Sequence, residues 1–447
     1  MADESQQIPV YEKIGYSAAD AAANFVFMTM VVFQQAFYTD VMGLKDFEAS
    51  LAILVPRLWD AVFDPVMGGL ADRTRTRWGR FRPWILWTAV PWGIVMFLAY
   101  VTPSGLSHPM LLTWAVVTNM LLMTLYSANN MPYAALGGVM SADIQERSSL
   151  NSFRFIAVNA AQFVVVGFTP VLVNRFAGPH PVGMPAAEWA QRRAHGWEVT
   201  MAIYAVICVV CFLITFATTR ERVNPVATEK TPVKRDLLDL LTNGPWAVMF
   251  LMTLFHFALL SFRGGAEYQY YIRYADPGTC YDVLDRLGLT APALSAGESP
   301  HGLFGQLGYV VYGARDNPNS TAPSAIFGLF GMIGKAVTIL AIMFAPFLAK
   351  RFGKKAVCIW GFALMVVNSL AFYVLRPTDV IGMLVLTATG SLFYGPTIPL
   401  VWAIYADVVD YGEWKLGRRA TQRRKLSGGL KWLECLRRRS FLAIGHA

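Results

Sequence analysis

Long apolar runs, each closed by a short polar or charged segment, repeat along almost the whole of this 447-residue chain. A hydrocarbon core about 30 Å thick takes about 20 helical residues to cross. On that measure the runs predict spans at 18–38, 47–70, 84–102, 110–136, 150–173, 198–218, 245–274, 324–348, 356–375 and 380–406. Runs of this length satisfy their own backbone in lipid only as helices. The pattern therefore predicts an all-α, polytopic membrane protein of ten spans.

The punctuation predicts its organisation. Residues 1–218 hold six spans, the first bundle. TRERVNPVATEKTPVKRD, with its prolines and charges, predicts a central linker over 219–244, and 245–420 form a second bundle of four spans. That bundle is interrupted by a long insertion at 275–322, rich in Gly, Pro, Asp and Ser, and 421–447 form a basic tail with no apolar stretch of spanning length. LADRTRTRWGRFR after the second span and LAKRFGKKA after the eighth share Leu-Ala-x-Arg followed by glycine and basic residues, a weak internal repeat that supports two related halves.

Composition agrees: 55% of residues are hydrophobic and 15% charged, which excludes a soluble class. The net charge of +9 raises the question of nucleic acid, and location answers it. Basic residues gather in alternate loops, at Arg73, Arg75, Arg77, Arg80 and Arg82, then Arg220, Arg222, Lys230, Lys234 and Arg235, then Lys350, Arg351, Lys354 and Lys355. That is the positive-inside pattern, which puts both termini in the cytoplasm, the insertion outside and the chain in a plasma (bacterial inner) membrane, with the lipid bilayer and no nucleic acid as partner. The leading MADESQQIPVYEK lacks the features of a cleavable signal, so the first span acts as its own insertion signal. Cys208 and Cys211 sit in the apolar run YAVICVVCFLITF and read as small buried hydrophobes.

Within the spans the chemistry concentrates in RLWDAVFDPVMGGLADRTRTRWGRFRP. Asp60 and Asp64 are one helical turn apart and share a face. A charge at mid-membrane costs about 3 kcal/mol, so such acids face a bundle interior or a wet cavity. A pair of them on one stripe forms a candidate cation site, with Na⁺ or H⁺ as the coupling ion; the spacing does not choose between the two, and neutralisation by Arg57 as mere packing glue is the plainer alternative. Asn24, Gln34 and Gln35 lie in the first span, Asn119, Tyr126, Asn129 and Asn130 in the fourth, and Arg154, Asn159 and Gln162 in the fifth. The arginine is the sharper signal, since single amides serve more often as interhelical glue. The seventh span ends in EYQYYIRY, where Tyr270 and Tyr271 suit either an interfacial belt or a sugar-stacking wall, and Lys335 lies too deep in the eighth to snorkel easily and so faces a carboxylate or the substrate cavity, a candidate substrate-binding residue. Asp72, Arg73, Arg77 and Arg80 mark a cytoplasmic gate, together with Asp407, Asp410 and Glu413 at the end of the tenth span.

WDAVFDPVMGGLADRTRTRWGRFRPWILW, FYTDVMGL, NNMPYAAL, ERSSLNSFRF and WAIYADVVDYGEWKLGRRAT, in that order, resemble the signatures of the glycoside-pentoside-hexuronide:cation symporters, a melibiose-carrier-like branch of the major facilitator superfamily. The resemblance implies two pseudo-symmetric bundles, here without the last two of twelve helices, and alternating access. It implies cation-site carboxylates at Asp60 and Asp64, a sugar-contacting arginine at Arg154 and a cavity tyrosine at Tyr126. Where melibiose-type carriers have acids in the first and fourth helices, Asn24 and Asn130 stand here and bring no charge; Asn130 is placed beside both cation and substrate. The expectation is a monomeric symporter without a cofactor, moving a sugar or glycoside with Na⁺ or H⁺. Carriage of an amphiphile such as a lysolipid and an inactive shortened carrier are the alternatives. A membrane enzyme is disfavoured by the lack of a metal-ligand cluster, an activated nucleophile or a phosphate loop.

Overall fold

The computed structural model describes residues 7–141, 143–178, 185–223, 244–292, 305, 309–312, 315 and 320–416. Each expected span falls on helix. The first is α1 (Val10–Val32) with α2 (Gln34–Asp40), followed by α3 (Asp46–Arg73), α4 (Arg82–Leu98), α5 (His108–Met140), α6 (Ile144–Ala177) and α7 (Ala186–Thr218). Beyond the linker come α8 (Gly244–Arg273), α10 (Ala322–Phe352), α11 (Lys354–Ala371), α12 (Val380–Tyr394) and α13 (Thr397–Leu416). The insertion contributes the short α9 (Pro277–Arg286) and a two-stranded parallel pair, β1 (Thr290–Ala291) and β2 (Val311–Tyr312).

Among the described residues, seven helical stretches are long and apolar enough to cross a membrane, and α1 with α2, bent by 50°, make an eighth. The other two expected spans are α3, whose run carries Arg57, Asp60 and Asp64, and α4, only 17 residues long. The charged side chains of α3 are what lower its hydropathy.

Contacts group the chain into two compact units. The larger holds residues up to 225 together with 257–400. In it α1 packs on α6 and α7, α3 on α5, α4 on α5 and α7, and α10 on α6, α11 and α12. The described part of the smaller unit is 244–256 with 401–416, where the Tyr405 hydroxyl meets the Met249 carbonyl oxygen at 3.0 Å and Thr253 Oγ1 at 2.8 Å. Most of the expected linker and the whole 421–447 tail lie outside the described residues.

The two ends of the larger unit are held differently. At the end carrying the insertion, the α1–α2 break places Phe33, fully buried, against Trp197 of α7, Tyr268 of α8 and Phe327 of α10 at centroid distances of 6.0, 5.0 and 6.0 Å. Asp40 pairs with Arg273 at 2.9 Å and Arg193 at 3.9 Å. Tyr309, from the insertion, donates to the Gly167 carbonyl of α6 at 2.8 Å, and Asn174 of α6 donates to Ser324 of α10 at 2.5 Å. These contacts join helices from before and after the linker.

At the opposite end, contacts among the described residues tie the first helices to one another and to the start of the linker. Glu12, fully buried, takes both Arg222 Nη atoms at 2.8 and 2.6 Å and the Arg220 N–H at 2.9 Å. The Glu221 carboxylate accepts the N–H groups of Arg80, Phe81 and Arg82, satisfying donors that the first turn of α4 would leave open. Glu146 bonds Lys13 at 2.9 Å and the Ile8 N–H at 3.1 Å, and these contacts hold its carboxyl below the usual range.

Close helix approach is written in small residues. A Cβ on Gly196 of α7 would lie 2.3 Å from the Val173 carbonyl oxygen of α6, an atom fixed by its own helix. Gly196→Ala should therefore destabilise the protein by about 1–3 kcal/mol, visible as a lower unfolding temperature in detergent. An unchanged temperature would show that α6 and α7 are not in this register.

Candidate functional site

Two polar clusters occupy the interior, and α5 touches both. The first begins with the turn spacing in α3, which aims Asp60 and Asp64 at α5, while Leu58, Val62 and Val66 of the same helix are exposed. Ser127 of α5 lies between the acids: its Oγ is hydrogen-bonded to Asp60 Oδ1 and, at 2.6 Å, to Asp64 Oδ1. A hydroxyl carries one proton and donates it once. The second contact is complete only when a carboxyl is itself protonated or a cation lies among the three oxygens. Arg57 forms no ion pair with either acid among the described residues, and it acts on Asp60 electrostatically. Trp59 Nε1 donates to Thr124 Oγ1 at 2.9 Å, pinning α3 to α5 beside the acids.

The second cluster is a chain of polar contacts through α1, α6 and α10. Arg154 Nε pairs with Asp20 Oδ2 at 2.9 Å. Its guanidinium lies 5.8 and 5.1 Å from the ring centroids of Tyr16 and Tyr133, which stack on each other at 4.5 Å. One turn beyond Asp20, Asn24 donates to the Asp20 carbonyl at 2.9 Å and accepts from Gln162 Nε2 at 2.9 Å. Gln162 Oε1 accepts from Lys335 Nζ at 2.8 Å. The small side of α5 at Gly137 makes room, since a Cβ there would lie 2.4 Å from the Tyr16 hydroxyl oxygen.

The structure thus brings Asp60 with Asp64, and Asn24 and Arg154 with Lys335. Tyr126 stands on α5 next to Ser127, tilted against Trp92 at 5.6 Å, and its hydroxyl has no hydrogen-bond partner among the described residues. Asn130 is half-buried, likewise without a polar partner among them. Tyr270 and Tyr271 do not join these clusters: Tyr270 donates to the Phe372 carbonyl at 3.2 Å, and Tyr271 is 3.1 Å from Thr387 Oγ1, so their hydroxyls tie α8 to the segments after α11. Gln34, Asn119, Asn129 and Asn159 are spent on Tyr38, the Ala52 carbonyl, Thr88 and the Phe155 carbonyl, the packing role expected of single amides.

Asp72, Arg73 and Arg77 are exposed, and with Arg80 they form no side-chain ion pair among the described residues; the Arg77 guanidinium covers Trp78 at 4.5 Å instead. Asp407 is exposed on α13. Asp410 and Glu413 are helical there, with side chains outside the described set.

Asp20 and Ser127 were not among the residues singled out from sequence. Asp20 had a signal, an acid inside the run SAADAAANF, one turn before Asn24, and it brings to the first helix the charge that Asn24 does not. Ser127 had none, because a serine in an apolar helix is ordinary until its neighbour is known.

Such a bundle, with ionic groups held inside it, has the fold of major facilitator transporters: a mutant of the nucleoside transporter NupG superposes with a TM-score of 0.56 at 14% identity, over 90% of this chain and 83% of that one. The chain belongs to the MFS/sugar transport protein family, whose model it matches over residues 15–279 and 303–423. The inner membrane symporter YicJ of Escherichia coli (strain K12) is 32% identical over 418 residues, covering 94% of this chain and 78% of that protein. The isoprimeverose transporter of Lactiplantibacillus pentosus is 29% identical over 419 residues, 92% of this chain and 74% of that one.

Replacing Ser127 by alanine removes the hydroxyl the two acids share. Ser127→Ala should weaken dependence on the coupling ion about tenfold, read as a shift of the half-saturating Na⁺ concentration or of the pH midpoint of transport, and Ser127→Thr should restore it. Equal midpoints in all three proteins would remove Ser127 from the site.

Proposed function

We propose that this protein is a secondary active symporter that moves a glycoside, pentoside or hexuronide across the bacterial inner membrane with Na⁺ or H⁺, by alternating access. The observation that carries this reading is the Asp60–Ser127–Asp64 cluster, three oxygens with one hydroxyl proton among them, which is complete with one added proton or monovalent cation. Family membership and relatives named as an inner membrane symporter and an isoprimeverose transporter support the cargo. Arg154, Asp20 and Asn24 offer the donors and acceptors that sugar hydroxyls bind, and the stacked Tyr16 and Tyr133 offer an apolar wall behind them.

Coupling has a physical route in α5. Ser127 holds the acids, and six residues on, about 9 Å along the helix, Tyr133 accepts the Tyr16 hydroxyl at its carbonyl and backs Arg154 with its ring. Drawing Asp60 and Asp64 around a cation shifts α5 against α3, and that displacement reaches the Arg154 pocket. Linkage makes the effect reciprocal, so sugar tightens cation binding by the factor that the cation tightens sugar binding.

The alternate basic loops orient the carrier with both termini inside and the insertion outside, and the chain works as a monomer without a resident cofactor. The insertion end is the one joined across the two halves, and the gate residues Asp72, Arg73, Arg77 and Arg80 are the groups that would engage at the other end when that side closes.

Asp60→Asn and Asp64→Asn should abolish accumulation of sugar against its gradient, by more than about tenfold, while leaving counterflow exchange in proteoliposomes within a few-fold of wild type. The two assays are run side by side with the Na⁺ and proton gradients imposed separately. Full uphill uptake in both variants would reject the cation site, and no exchange of any glycoside would reject the carrier.

A further inference from the structure

Where α6 crosses α10 the two halves meet with little side chain between them: a Cβ on Gly328 of α10 would lie 2.6 Å from the Gly167 carbonyl oxygen of α6. A residue of the insertion reaches that same carbonyl. The Tyr309 hydroxyl donates to it at 2.8 Å and lies 2.9 Å from Met332 Sδ of α10, so one group touches a helix of each half. Its ring meets Phe168 of α6 edge-on at 5.8 Å, and only 3% of the residue is exposed.

What supports Tyr309 belongs to the second half. Two residues on, Val311 of β2 donates its N–H to the Leu289 carbonyl at 2.9 Å and pairs with Thr290 of β1. Arg315 grips Asp282 of α9 at 2.6 and 2.8 Å. In turn α9 packs on α10 and α12, with Cys280 and Leu284 buried, and the Asp276 N–H at its start bonds the Pro377 carbonyl at 2.9 Å. The family match stops at residue 279 and resumes at 303, so most of α9 and all of β1 fall outside it. This chain therefore adds to the shared fold a support that is anchored on the second half and ends in a tyrosine on the first.

In alternating access one bundle rocks against the other, and opening at this end parts α6 from α10. Tyr309, held by the second half, must leave the Gly167 carbonyl for that to happen. From this we infer that Tyr309 is a clip: through it the insertion holds the outer end shut, and the strength of that contact sets how often the cavity opens outward. Capture of cargo from outside scales with the fraction of carriers open there. Tyr309 is a positioning residue, acting through α6 and α10 and not on the cargo. The inference rests on the carrier reading, with the insertion outside, and adds to it a residue that sets its balance.

The test puts a reporter in the seam away from the clip. Val31 of α1, buried beside Gly264 of α8, is exchanged in Val31→Cys, and alkylation of that site by a membrane-impermeant maleimide is followed by mass spectrometry in right-side-out and in inside-out vesicles. Adding Tyr309→Phe, which deletes the hydroxyl and keeps the ring, should raise the rate from outside about three- to tenfold, the factor set by one buried hydrogen bond. Tyr309→Ala should raise it at least as far, and from the cytoplasmic side neither variant should be alkylated faster than the parent. Looser packing alone would raise both rates. External rates equal in all three proteins, or an equal rise from both sides, overturns the clip and leaves the carrier intact. Absence of counterflow with every glycoside in the wild-type protein would instead reject the carrier reading, and this inference with it.

Discussion

An ionised group inside a lipid-embedded bundle must find a partner, and the pairing of Asp20 with Arg154 at 2.9 Å is the contact on which the interior is arranged. It fixes α1 against α6, and the same guanidinium rests on Tyr16 and Tyr133, so α5 is drawn in as well. Because the acid is consumed by the arginine, Asn24 one turn later is left to reach Gln162, and Gln162 to reach Lys335 of α10. One ion pair thus bears on the register of four helices, α1, α5, α6 and α10, drawn from both sides of the central linker.

The carboxylates of α3 obey the same constraint by another means. Among the described residues they form no ion pair with an arginine; they share one serine, whose single proton cannot serve both carboxylates, so a small cation or proton there changes the energy by a large amount. A site that is incomplete by one positive charge is suited to a traveller, whereas a site complete in itself, such as Glu12 with Arg222, is suited to holding helices together. Half-buried Asp60 and Asp64 and fully buried Glu12 thus differ in what completes them, whatever their position in the chain.

Much of the fold was legible in the apolar runs, since the period and length of a spanning helix are local properties. Even the polar span α3 and the short span α4 were found, because in α3 the breaks in the apolar pattern are acids one turn apart and in α4 the flanking Arg82 and Tyr100 bound a short but continuous run. The 50° break after Val32 was not legible; no proline or glycine marks it, and it exists to seat Phe33 among Trp197, Tyr268 and Phe327, which are far away in sequence. The tyrosines of EYQYYIRY illustrate the same limit: local composition suits a sugar wall or a belt, while the Phe372 carbonyl and Thr387 determine what Tyr270 and Tyr271 touch.

By itself the sequence determined the helical, membrane-spanning class, the basic loops, the acids one turn apart in α3 and the arginine and lysine within the spans, all of which follow from side-chain chemistry and the geometry of one helix. Only the tertiary structure decided which of those groups complete one another. Partnership between Asp20 and Arg154, or among Asp60, Ser127 and Asp64, depends on the rotation and depth of one helix against its neighbour, and that is set by the packing of all the others.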